Sequence, residues 1–281
     1  MSAIEASESA LMRRARYVLI AVMTVVITFP ILWIFLSSIK QPDALFTSPP
    51  QVFPREVTLE HYRSIITDSL LLRYLFNSIV VASLTTLVSL LLAVFAGYGW
   101  GKFDFYGART TSVFVLVSQM FPVVVLIIPL FELLSRFSML NSYQGLVFAY
   151  LVYTVPLSTW MLKGFFEGIP ENVLRAARID GLSELRVFTE IALPLVVPGI
   201  AATAIYAFIM AWQEFFFALT FMQEDSLKTL PVGLLGFVGQ YDVSWGALMA
   251  ASFVTVLPVT ALFLFLQRYF IQGIASGAVK G

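Results

Sequence analysis

The 281-residue sequence has no cysteine, so it can build neither a disulfide framework nor a thiolate or iron–sulfur site. Its single histidine, His61, stands in a polar stretch and reads as a surface side chain rather than a metal ligand. Charge is scarce and balanced: 12% of residues are Asp, Glu, Lys or Arg and the net charge is zero. That is about half the charged fraction of a soluble domain, and it leaves no basic surface for nucleic acid. The phosphate-cradling pattern G-x-x-x-x-G-K-[ST] is missing and so is H-E-x-x-H, which argues against nucleotide hydrolysis or zinc proteolysis by this chain. No internal repeat or low-complexity tract is evident.

What the sequence has is apolar length. Hydrophobic residues make up 59% of it. Six windows free of Asp, Glu, Lys and Arg stand out: Tyr17–Ile39, Tyr74–Gly101, Thr110–Phe131, Phe137–Leu162, Ile191–Gln213 and Val243–Gln267. Each exceeds the roughly 20 residues that cross a hydrocarbon core, where helices are the default because backbone bonds must be satisfied internally. Arg13, Arg14 and Arg16 before the first window resemble the basic start of a secretory signal. The window itself is too long for one and lacks a small-x-small cleavage site, so it reads as a retained transmembrane helix. Prolines fall inside five windows (Pro30, Pro122 with Pro129, Pro156, Pro194 with Pro198, and Pro258) and predict kinks.

Orientation follows from Lys and Arg. Eleven lie on the side that carries both termini, the 102–109 loop and the 163–190 segment, against six on the other side. The positive-inside rule therefore places both termini in the cytoplasm. The organisation this implies is a cytoplasmic N-terminus (1–16), a first span (17–39), a periplasmic loop (40–73), a five-helix core (74–268) with a cytoplasmic loop at 167–193, and a cytoplasmic tail (269–281). The outer loop of residues 222–245, "MQEDSLKTLPVGLLGFVGQYDVSW", is glycine-rich and aromatic-tipped.

The cytoplasmic loop is unlike its surroundings. In "GIPENVLRAARIDGLSELRVFTEIALP" Pro170 suits a first helical position, Glu171 complements the helix dipole and Gly181 is a natural stop. Ser183 suits an N-cap for a second helix, with Phe188 and Ile191 on one face and Pro194 at its end. The reading is helix, tight turn, helix: either an ordinary interfacial amphipathic loop or an alanine-faced knob fit for a partner's groove.

The run Ala176-Ala177-x-x-Asp180-Gly181, continued to Pro194 and Pro198, resembles the "EAA" motif of type I ABC importer permeases. "PLSTWMLKGFFEGIP" before it, "AWQEFFFALTF" at 211–221, "KTLPVGL" at 228–234 and the terminal "SGAVKG" resemble, in order, the shorter permease subunit of maltose-type carbohydrate importers. The likeness runs from Tyr17 to Gly281. It implies an all-α membrane protein of six transmembrane helices with a cytoplasmic coupling helix, in a bacterial or archaeal cytoplasmic (inner) membrane. It further implies a non-catalytic subunit, paired with a second permease, two cytoplasmic ATPase subunits that bind the ATP and Mg, and a periplasmic or lipid-anchored solute-binding protein that delivers a sugar. No cofactor or metal is expected in this chain.

By the same resemblance, Ala176, Ala177, Asp180 and Gly181 seat the coupling helix in the ATPase. Arg175 stands where the family has the glutamate that names the motif, so the family's salt bridge does not transfer. An acidic group of the partner, or Glu171 at i−4, could take its place. Trp212, Gln213 and Glu214 become candidates for the substrate path, where aromatics stack on sugars and amides bond hydroxyls. Asn77 and Gln119 are further buried polar candidates, although interhelical bonding would account for them equally. Glu132 has Arg136 at i+4 and reads as a local ion pair. Gly233, Gly236, Gly239 and Tyr241 would let the outer loop reach into the binding protein, and the tail would slip between the ATPases. An ion-coupled transporter acting alone would need carboxylates near the midplane and repeat symmetry, and neither is evident. A permease for a non-sugar solute such as glycerol phosphate is the nearer alternative.

Overall fold

A computed structural model describes residues 10–67, 70–239 and 243–277. The helices run in chain order as α1 (Ala10–Ser38), α2 (Glu60–Thr67), α3 (Leu71–Lys102), α4 (Ala108–Ser118), α5 (Ile127–Arg136), α6 (Tyr143–Glu167) and α7 (Glu171–Ile179). They continue as α8 (Glu184–Arg186), α9 (Leu193–Leu195), α10 (Val197–Trp212), α11 (Phe216–Phe221), α12 (Leu230–Gly233) and α13 (Trp245–Gly277). Among the described residues four helices are long and apolar enough to cross a membrane, and two bent pairs would each add one span. The expected six spans are met on that count.

The bent pairs show which prolines break a span. Between α4 and the segment from Val123 to Arg136 the axis turns by 93°. Pro122 there is extended, with φ −60° and ψ 125°, and disfavours a helical conformation in the residue before it. The third window is therefore broken at Pro122, well beyond the expected kink. In the fifth, a π-helical turn (Val187–Ala192) precedes α9, and the axis turns by 72° into α10. Pro194 has no N–H to give the carbonyl of residue 190, so the helix widens rather than ending there. Pro30, Pro156 and Pro258 lie inside continuous helices.

The chain divides into two compact units, described separately. One comprises the residues up to position 69 together with Phe237–Val254. The most apolar stretch of α1 leaves its side chains exposed all round. After it, Lys40 turns inward: its Nζ lies 4.6 Å above the Trp33 ring and donates to the Gln51 carbonyl. His61 also departs from the surface reading. Its Nε2 is 2.9 Å from the Lys40 carbonyl oxygen, and Gly246 packs so close that a Cβ would lie 2.1 Å from the imidazole.

The other unit holds Leu70–Gly236 and the last helix from Thr255 onward. Its core is α3 against α6, with α10 packed on both. The α3–α6 pair is parallel and in register along its length: Tyr143 donates to Asn77, Ser89 bonds Thr154, and Gly97 meets Leu162. Partners stay 65 or 66 residues apart throughout. Toward its C-terminal end α3 reads Gly97-Tyr-Gly-Trp-Gly101, a small-xxx-small spacing that brings two backbones together. A Cβ on Gly97 would lie 3.0 Å from the Lys163 nitrogen, and one on Gly101 would lie 3.1 Å from the Lys163 oxygen.

Candidate functional site

The 167–193 loop folds largely as its sequence signals. Gly168 closes α6, Ile169 follows, and Pro170 leads into α7. α7 ends in a Schellman turn. The Leu182 N–H reaches the Ala177 carbonyl, the Gly181 N–H reaches that of Arg178, each at 3.1 Å, and Gly181 takes φ +88°. Only glycine reaches that conformation without strain. Ser183 occupies the N-cap position of the next helix, although its hydroxyl makes no capping bond.

Burial sorts the residues of this loop by role. Leu174 and Ala177 face inward, into a cluster formed by Tyr98, Leu162, Phe166, Ile169, Val187 and Phe188. The Tyr98 ring lies 5.3 Å from Phe166 and 4.7 Å from Phe188, within the range of favourable aromatic pairs. The two alanines of the motif therefore part company: Ala177 packs on its own bundle and Ala176 is exposed. Arg175, Asp180 and Gly181 are exposed beside Ala176, as are Ile179, at 86%, and Leu185, at 69%. Two large aliphatic side chains held out on a rigid knob are its most conspicuous surface feature.

Arg178 holds the knob together. Its guanidinium donates to both carboxylate oxygens of Glu184, at 2.7 and 3.2 Å, and to Glu171 at 3.2 Å. The bond to Arg178 holds the Glu184 carboxyl below its usual range, and Glu184 in turn raises the guanidinium's pKa. Arg175 reaches the same Glu171 oxygen only at 3.8 Å and stays 73% exposed. The i−4 pairing expected for Arg175 exists, yet it is the looser claim on Glu171. Pattern reading at i±4 misses Arg178, because its second partner lies beyond the turn.

The substrate-path candidates divide. Trp212 is buried, with its indole stacked on Phe208 at 14° and 5.6 Å. Glu214 accepts the N–H groups of Phe217 and Ala218, at 2.8 and 3.1 Å, and so caps the start of α11. Gln213 is exposed between them. Asn77 is fully buried and committed to the fold. Its amide donates to the carbonyls of Ser226 and Lys228, at 2.9 and 2.8 Å, and its oxygen accepts from Tyr143 at 2.6 Å. Gln119 sits where α4 gives way to Pro122, lining a cavity of about 290 Å³ with Ser118, Phe121 and Tyr153. Phe121 and Tyr153 were not anticipated, since the cavity exists only because the third span breaks. Glu132 and Arg136 form the expected i,i+4 pair, at 3.9 Å and well exposed.

In the outer loop, Gly233 does not provide mobility. It is buried in α12, where a Cβ would lie 2.0 Å from the Tyr74 ring. Gly236 and Gly239 are exposed, and Tyr241 lies outside the described residues, as do the last four residues of the tail.

The sequence pattern of the family described as "Binding-protein-dependent transport system inner membrane component" matches residues 89–276. The trehalose/maltose transport system permease protein MalG of Thermococcus litoralis is 36% identical over 92% of this chain and 94% of its own length. The sulfoquinovosyl glycerol transport system permease protein SmoH of Agrobacterium fabrum is also 36% identical, over 95% of this chain and 93% of its own. Among solved structures, a bacterial ABC transporter involved in import of the acidic polysaccharide alginate superposes with a TM-score of 0.77. That match covers 94% of this chain and 99% of the other at 20% identity, and it establishes the fold. The chain belongs to the inner-membrane component family of binding-protein-dependent transport systems and is an ABC importer permease subunit.

Proposed function

We propose that this permease works as half of a heterodimeric carbohydrate importer, that its α7 knob seats in a cytoplasmic ATPase subunit, and that a solute-binding protein delivers the sugar to its outer face. Both termini are cytoplasmic on this reading, and hydrolysis belongs to the partners. The observation that carries it is the knob: Ile179 and Leu185 are exposed on a helix–turn–helix that Arg178 locks and that Leu174 and Ala177 root in the core of the spans. A rigid apolar projection of this kind suits a groove, and its roots give movement of the groove a path into the spans. The relatives' solutes, trehalose or maltose, a sulfoquinovosyl glycerol and alginate, support the sugar class. The cavity of Gln119, Phe121 and Tyr153 offers an amide and two aromatic rings, the groups that bind sugar hydroxyls and faces.

Co-expression with the neighbouring permease, ATPase and binding-protein genes tests this. The purified complex in proteoliposomes should hydrolyse ATP faster with sugar-loaded binding protein than with empty binding protein. Ile179→Asp should abolish the stimulation. Stimulation that persists in that variant would remove the knob from coupling, and stimulation only by a non-sugar solute would remove the carbohydrate assignment.

A further inference from the structure

The α7 knob continues directly from α6, so any pull on it reaches α6 through the chain. α3 has no such covalent link. Among the described residues, its contacts with the coupling region include Ala93 and the Phe95 and Tyr98 rings in the apolar cluster, the glycine seam, and a polar bond. In that bond the Lys102 Nζ donates to the Ile169 carbonyl at 2.7 Å. Lys102 is the last residue of α3, and Ile169 stands between the end of α6 and Pro170. The bond thus ties the end of one span to the hinge from which the knob departs.

Three features set it apart from an incidental surface contact. The acceptor is a main-chain carbonyl, although the carboxylate of Asp104 is only two residues along the chain. The two helices end side by side, so the ammonium also faces the negative ends of both dipoles. The seam of Gly97 and Gly101 against Leu162–Phe166 holds the backbones at contact distance, so the bond's length is fixed by the packing above it.

We propose that Lys102 is a positioning residue which makes α3 travel with the coupling helix, so that a displacement of α7 moves α3 and α6 as one body. Its functional arm rests on the importer reading above, while its structural arm does not. Lys102→Met keeps the aliphatic length and removes the donor, and Lys102→Arg keeps a donor.

The structural arm measures distance. The chain has no cysteine, so once the partner subunits' own cysteines are replaced, spin labels on introduced Gly99→Cys and Asn172→Cys report the α3–α7 separation in the purified complex. A Cβ at position 99 meets nothing within 4 Å, and Asn172 is exposed. A narrow distribution should broaden in the Lys102→Met background and narrow again in Lys102→Arg. The functional arm measures sugar transported per ATP hydrolysed. This ratio should fall about tenfold in Lys102→Met, the equivalent of one charge-assisted hydrogen bond, and recover in Lys102→Arg. An unchanged distance distribution in Lys102→Met overturns the proposal, and so does an unchanged ratio. Failure of both variants to assemble would assign Lys102 to folding and overturn it too. A wild-type complex that sugar-loaded binding protein does not stimulate sinks the importer reading and leaves the distance test standing.

Discussion

Arg178 and Glu184 are joined by two parallel hydrogen bonds, at 2.7 and 3.2 Å, that span the left-handed turn at Gly181. Bidentate guanidinium–carboxylate geometry is directional, so the pair fixes the angle between α7 and the segment that follows, and lysine cannot reproduce it. Arg178→Lys should weaken the clasp by about 1 kcal/mol, near the upper end for an accessible pair. Amide hydrogen exchange across residues 171–187 should then run about fivefold faster, while exchange in α3 stays as it was. Uniform acceleration would mean that Arg178 supports the whole unit rather than the knob.

The same pair sets a pH dependence. The Glu184 carboxyl is held low by Arg178, so its contribution is fully present above the ordinary carboxylate range and is lost as pH falls through the depressed value. Exchange across the knob should stay flat from neutral pH to about 5 and accelerate below about 4, after correction for intrinsic rates. Glu184→Gln should remove that acid-dependent component. A knob that opens instead between pH 6 and 8 would point to a different group.

The α3–α6 seam predicts a contrast between glycines two residues apart. A Cβ on Gly97 would lie 3.0 Å from backbone, whereas one on Gly99 meets nothing within 4 Å. Gly97→Val should cost about 1–3 kcal/mol, as overpacking does, and lower the melting temperature of the solubilised complex. Gly99→Val should stay close to wild type or gain slightly, since valine is a somewhat better helix former than glycine. Equal losses would show that the close approach at Gly97 is not what sets the cost.

Asn77 fastens the outer loop to α3. Asn77→Leu leaves the carbonyls of Ser226 and Lys228 and the Tyr143 hydroxyl without that partner. Ser226 is exposed and its carbonyl keeps Arg73 Nε as a donor, so the cost of about 1–3 kcal/mol per buried unsatisfied group falls on the other two. Hydrogen exchange at residues 224–230 should rise well before that of α6, and unchanged exchange there would show the loop to be held by other contacts.

Gly233 and Gly236 separate packing from freedom in the same loop. Gly233→Ala drives a Cβ into the Tyr74 ring and should destabilise, whereas Gly236→Ala meets open space and should fold normally. Thermal unfolding of the two variants side by side checks this. A tolerated Gly233→Ala would mean that Tyr74 swings aside.

Local signals carried the knob a long way. Glu171 at the start of α7, Gly181 at its stop and Arg175 four residues after Glu171 all concern neighbours within one turn, and each sits where sequence reading puts it. The spacing of Gly97 and Gly101 is present in the chain but was not singled out from it, since a four-residue spacing of glycines does not say which backbone it brings close. Missed were the contacts whose distance along the chain says nothing of their distance in space: Lys102 to Ile169, Asn77 to Ser226, and Arg178 to Glu184 around the turn. The burial of Gly233 belongs with them, since a glycine in a loop reads as freedom until an aromatic ring is found against it.

By itself the sequence determined that this is a membrane-spanning helical chain, roughly where its spans lie, and that one polar loop forms a helix–turn–helix. Apolar length, charge position and turn chemistry are properties of consecutive residues. Tertiary structure alone decided that Ala177 faces inward while Ala176 faces out, that Pro122 turns a span through 93° and opens a cavity while Pro156 passes through α6, and that α3 ends on the hinge of the knob. Those outcomes depend on which surfaces meet when the spans pack, and side chains brought together from distant positions settle them.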